Sequence, residues 1–119
     1  MATAELEARV RDEAGTAVIV LTGDVDRDAE AALDEAYSQV EQASSVVLDF
    51  AGVPYINSTG IALVVGLLAS ARAHGVPIRA YGLTDHYREI FEITRLADFM
   101  AIDTDEDSAV QGVGGDRNG

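Results

Sequence analysis

Three groups of residues in this 119-residue chain have the types and spacing that chemistry needs. Asp24, Asp26 and Asp28 alternate as the ligands of a calcium loop do, and Glu35 stands at the twelfth position, where a carboxylate closes such a site. The sixth position is Ala29, not the glycine that the loop's sharp turn requires, and no helix precedes it. The simpler reading is a solvated turn leading into a helix capped by Asp26 or Asp28. Asp103-Thr104-Asp105-Glu106-Asp107 also lacks the glycine and reads as a charged surface turn. His74 and His86 each lack a second histidine three or four residues away, so neither begins a zinc site. Ser58 could join His86 and Asp85 as a hydrolase triad, but no Gly-x-Ser-x-Gly elbow surrounds it. An aspartate adjacent in sequence is also poorly placed to orient the imidazole.

The third group is Asn57-Ser58-Thr59, where a loop over residues 51–57, with Gly52 and Pro54, delivers the chain to a long apolar helix. One N-cap needs one such side chain. On the structural reading Asn57 or Ser58 caps the helix and the others are incidental. On the functional reading Ser58 presents its hydroxyl to solvent at the positive end of the helix dipole. A phosphate there adds about −1.5 to −2 charge and is tolerated by the unpaired N–H groups, so it changes the surface without unfolding the domain.

Composition narrows the classes. There are 21 acidic and 8 basic side chains, a net charge of −13, and 48% of residues are hydrophobic, which argues for a folded domain rather than an acidic disordered chain. Cysteine is absent, which excludes disulfides, thiolate metal sites and a cysteine nucleophile. All the basic residues are arginine, so a P-loop lysine and Schiff-base chemistry are excluded as well. The negative field makes nucleic acid and anionic membranes poor partners. The first seven residues carry neither a basic flank nor an apolar core, so no signal peptide is expected. The longest apolar run, residues 61–69, is broken by Gly66 and is too short to span a bilayer. The expected compartment is the cytosol.

The elements that position these residues follow from periodicity. Residues 6–12 alternate apolar and charged, and Thr16–Thr22 is a β-rich apolar strand; the turn between them predicts an antiparallel hairpin. Residues 27–43 read as a helix with Ala29, Ala32, Leu33, Ala36, Tyr37 and Val40 on one stripe. Residues 46–50 read as an interior strand, residues 58–74 as a helix ended by Gly75 and Pro77, and residues 76–81 as a strand. Residues 84–96 are helical, 99–103 a short strand, 105–111 a weak helix and 112–119 a mobile tail. In the second helix Ile61, Val64, Val65 and Leu68 are expected on the sheet, and Leu63 and Leu67, with Gly66 between the turns, on an exposed apolar strip that awaits a partner. Strands alternating with helices after a hairpin predict a single α/β domain over residues 1–111 with a mostly parallel sheet.

Taken together, Gly23-Asp24-Val25-Asp26, the strand at residues 47–50, Tyr55-Ile56-Asn57-Ser58-Thr59-Gly60-Ile61, Gly82-Leu83 and Ile90-Phe91-Glu92-Ile93-Thr94-Arg95-Leu96 resemble the STAS domain. More specifically they are similar to the stand-alone bacterial anti-sigma-factor antagonist, over roughly residues 5–110. The resemblance implies a four- to five-stranded mixed sheet with helices mainly on one side. It implies no catalysis and no cofactor, but a partner-switching cycle. The unphosphorylated antagonist binds an anti-sigma factor that is itself a serine protein kinase with a histidine-kinase-like ATPase fold, which frees a sigma factor. Phosphorylation of the antagonist releases the complex, and a PP2C-type phosphatase resets it. By motif position the phosphorylated residue is Ser58. Thr59 follows it, Gly60 permits close approach of the partner, and Asp24, with Asp26 in the same early loop, lies near the serine. Asn57 departs from the aspartate common at that position in kinase-switched antagonists. A non-phosphorylated STAS scaffold or ligand-sensing module is the alternative that Asn57 supports.

Overall fold

The computed structural model describes residues 5–13, 15–40, 42–93 and 101–103, the last three by backbone alone. The hairpin forms as its patterning dictates: β1 (Glu7–Glu13) pairs antiparallel with β2 (Thr16–Thr22), from Glu7 opposite Thr22 to Glu13 opposite Thr16. A short 3₁₀ turn (Arg27–Ala29) leads into α1 (Glu30–Val40), then β3 (Val46–Gly52), α2 (Ser58–Ala73), β4 (Ile78–Tyr81), α3 (Asp85–Ile93) and β5 (Ala101–Asp103). The five strands lie side by side in chain order, β2 through β5 parallel. The helix expected at residues 105–111 and the tail at 112–119 lie outside the described residues.

This order decides where the helices go. Each parallel strand is added on the same side of its predecessor, and right-handed crossovers then place every connecting helix on one face. The core bears this out. Ile19 and Leu21 of β2, Leu48 and Phe50 of β3 and Ala80 of β4 bury against Leu33, Ala36 and Val40 of α1, Val64 and Leu68 of α2, and Phe91 of α3. The Phe50 and Phe91 rings meet edge to face, their centroids 6.0 Å apart. On the opposite face the alternate residues Val18, Val47 and Tyr81 form a second, small buried cluster. There the Tyr81 hydroxyl donates to the Asp49 carboxylate at 2.7 Å, and the Ala51 N–H donates to the other Asp49 oxygen at 2.9 Å, so this buried acid is satisfied.

The α2 stripe differs from the one expected. Gly60, Val64, Leu67, Leu68 and Ala71 face inward, an i, i+4, i+7, i+8, i+11 pattern, while Val65 is 44% exposed. Leu67 belongs to the core and Leu63 is half-buried against it, so neither forms the exposed strip. Val65 lies on the far side of the helix, about 200° round from each of them. Among the described residues no helix is long and apolar enough to cross a membrane.

Candidate functional site

Ser58 is the first residue of α2 and is exposed, as is Thr59. The cap comes from Asn57: with extended backbone (φ −96°, ψ −178°), its side-chain oxygen accepts the Gly60 N–H at 2.8 Å and its carbonyl accepts that of Ile61 at 2.9 Å. Capping therefore occupies Asn57, and the Ser58 hydroxyl has no hydrogen-bond partner among the described residues. The N–H groups of Ser58 and Thr59 have no acceptor among the described residues and form the positive pole of the helix.

Two segments brace this helix start. Val25 makes an isolated parallel bridge with Ile56. Its N–H donates to the Tyr55 carbonyl at 2.9 Å and its carbonyl accepts the Asn57 N–H at 3.2 Å. Gly23, at φ 111°, donates to the Gly52 carbonyl at 3.0 Å, fastening the same two loops one step earlier. From α3, the buried Tyr87 hydroxyl accepts the Ile56 N–H at 3.1 Å. The loop carrying Asp24 and Asp26 thus runs beside the loop carrying Asn57. Asp24 is only 8% exposed, next to the Val25 strap.

Gly60 has a different role from the one expected. A Cβ there would lie 1.9 Å from the Val25 carbonyl oxygen, so the close approach it permits is that of the chain's own strap, not of a partner. Gly60 is buried. The remaining chemistry read from the sequence resolves into structure. Asp26 caps the turn after it by accepting the Asp28 N–H at 2.9 Å, and among the described residues no three acids or histidines converge to hold a metal. Asp85 is engaged by the Arg88 guanidinium, and the His86 ring packs on Tyr87 with centroids 4.9 Å apart, so this pair does not orient a base toward Ser58. His74 ends α2 as its C-cap, its ring nitrogen on the Ser70 carbonyl at 2.8 Å.

Two exposed apolar residues at or near α2 escaped sequence reasoning. Tyr55, 47% exposed, precedes the helix, and Val65 lies on its outer face beyond the exposed Ala62. Ser58, Ala62 and Val65, spaced i, i+4 and i+7, share one uncharged face of α2 on a strongly acidic domain.

Comparison with known proteins converges on one family. Residues 8–102 match the model described as "Mlab, STAS domain". The chain is 31% identical over 86 residues to an anti-sigma-B factor antagonist of Listeria monocytogenes, covering 71% of this chain and 75% of that protein. In fold it is similar to an anti-sigma factor antagonist from Mycobacterium paratuberculosis (TM-score 0.74, 22% identity, 91% of this chain and 93% of that one). It is likewise similar to the Bacillus cell-fate determinant SpoIIAA in its phosphorylated form (TM-score 0.67, 21% identity, 89% and 98%). A capped helix start held by a strap and a hydroxyl, on a sheet with helices on one face, is how this chain builds the domain: it belongs to the STAS family of anti-sigma factor antagonists, which are regulatory proteins and not enzymes.

Proposed function

We propose that the protein is a phospho-regulated antagonist that binds an anti-sigma factor when Ser58 is unmodified and lets it go when Ser58 carries a phosphate. The observation that carries this reading is the division of labour at α2: Asn57 supplies the cap, so the exposed Ser58 hydroxyl is left for another use. The partner is an anti-sigma factor with serine kinase activity and a histidine-kinase-like ATPase fold, and the setting is the cytosol. The Ser58 oxygen attacks the γ-phosphorus of ATP, ADP leaves, and the serine proton passes to a base of the kinase. A PP2C-type phosphatase hydrolyses the phosphoserine and restores the hydroxyl. The domain spans residues 1–111, with 112–119 as a tail.

Tyr55, Ala62 and Val65 supply the apolar centre of the contact, with Asp24, Asp26, Asn57 and Thr59 at its polar edge. A standard interface buries on the order of 1,200–2,000 Å² in total. A phosphate pressed against groups arranged for a neutral hydroxyl costs several kcal/mol, and each ~1.4 kcal/mol is tenfold in affinity. One modification is therefore enough to reverse partner choice, while the helix dipole keeps the domain folded.

The test incubates the protein with candidate anti-sigma kinases and ATP, then maps the modified residue by mass spectrometry. Ser58→Ala is expected to bind the kinase and take up no phosphate, and Ser58→Asp to bind at least tenfold more weakly by calorimetry. Phosphate uptake undiminished in Ser58→Ala sinks the assignment. Asn57 favours a second reading, a scaffold that pairs with other STAS domains and is never phosphorylated. Recovery of STAS partners and no kinase in pulldowns supports that reading.

A further inference from the structure

Between α1 and α2 lies a groove of about 340 Å³, floored by Leu63 and Leu67. Gly66 opens one wall, and the exposed Glu30 and Asp34 stand on the other. Gly66 is a residue that local helix physics disfavours, and Glu30, although favoured by the dipole in the first turn of α1, repels Asp34. Gly66 is exposed in the interior of α2, and a Cβ there would meet nothing within 4 Å, so no contact among the described residues calls for glycine. Glycine in a helix interior is disfavoured against alanine. Glu30 and Asp34 are four residues apart, so two like charges neighbour each other on one helix face and repel. No arginine lines the groove among the described residues. Among the described residues, a helical glycine with no packing reason faces two carboxylates with no basic partner across one cleft, the pattern of a surface kept for an outside group.

We propose that this groove receives a single arginine side chain of the protein partner. The aliphatic stem lies on Leu63 and Leu67 in the space that a side chain at position 66 would fill, and the guanidinium reaches Glu30 and Asp34. A planar fork with a weakly hydrated charge suits two carboxylates above an apolar floor; a compact, strongly hydrated ammonium suits them less. A divalent cation is a poorer occupant, because it needs six or more oxygens and the floor offers carbon. The inference rests on the reading above for the partner, an anti-sigma factor, but the chemistry of the groove can be tested without it.

The probe is butylguanidinium, titrated into the ¹⁵N-labelled full-length protein with amide shifts followed by NMR. Saturable shifts are expected at Gly66, Leu63 and Asp34 and their neighbours, with butylammonium and butanol each about fivefold weaker or more. Gly66→Leu fills the groove with a good helix former, so it remains folded, and the response is expected to vanish. In Glu30→Gln/Asp34→Asn it is expected to fall to the level of butanol. Absence of saturable shifts, shifts centred elsewhere, or a response unchanged in either variant overturns the proposal. Because the probe binds independently of any anti-sigma factor, such a failure leaves the function of Ser58 standing, and failure of Ser58 phosphorylation leaves the groove result readable.

Discussion

At position 60 a Cβ would stand 1.9 Å from a backbone oxygen, and at position 66, on the same helix, it would stand in open space. The two glycines therefore answer the same substitution with opposite signs. Gly60→Ala forces α2 away from the Val25 strap and is expected to cost about 3 kcal/mol, the upper range for overpacking a well-filled site. Gly66→Ala relieves backbone entropy at no steric cost and is expected to stabilise by about 0.5–1 kcal/mol. Urea midpoints of the two variants check this, and a Gly60→Ala protein as stable as the parent would remove Val25 as the strap. The same pair shows what was legible at this scale. Ser58 could be placed at a helix start from its neighbours alone, because caps and dipoles are local. The role of Gly60 could not, because the atom that demands it belongs to a residue 35 positions earlier. Asn57 was legible as a capping type, but only the geometry shows that the cap is its work and not that of Ser58.

Helices announce which side faces the core through the residues that must stay out. In α3 the charged Asp85, Arg88, Glu89 and Glu92 mark the solvent side, and Tyr87 and Phe91 are buried. In α1 the stripe holds, with Leu33, Ala36, Tyr37 and Val40 inward. In α2, residues 61–68 contain no polar side chain, so the sequence offers nothing to fix the rotation. The anchor is instead Gly60 against Val25, and it turns Leu67 inward and Val65 outward. α3 contributes more than a covering layer, since the Tyr87 hydroxyl holds the Ile56 N–H two residues before Ser58. In Tyr87→Phe the ring stays and the hydroxyl goes, leaving that buried N–H without an acceptor at a cost of about 1–3 kcal/mol. The loss is expected to be local: amide exchange at Ile56 and Asn57 accelerates, while the β2 and β3 amides keep the protection set by the global stability of the variant. Uniform acceleration across the sheet would show that Tyr87 supports the whole core and not the loop that presents Ser58.

For the molecule as a whole, a mostly parallel sheet was open to sequence reasoning because strands alternate with helices after a hairpin. Helices mainly on one side followed from the family resemblance, whereas the strand order comes from the structure. The second face was less legible. The apolar run of β3 reads as an interior strand, but the Asp49–Tyr81 bond depends on the register between β3 and β4, which no local pattern carries. Charge acts at this same scale. Two opposing terms respond to salt. The ion pairs Arg9–Glu7, Arg11–Glu13 and Arg88–Asp85 join residues two or three apart on the surface, and such exposed pairs contribute between nothing and about 1 kcal/mol each. Against them stands the mutual repulsion of a net −13 held within one small domain, which disfavours the compact state. Raising ionic strength from about 0.01 M to 0.15 M shortens the screening length from roughly 30 Å to 8 Å. Repulsion summed over the whole surface then fades, while contacts at a few ångströms persist. Stability is accordingly expected to rise with sodium chloride over this range by on the order of 1 kcal/mol, a Tm increase of roughly 4 °C for a chain of this length. A Tm that falls as salt is added would mean that local pairs, and not the excess charge, dominate the electrostatics of the fold.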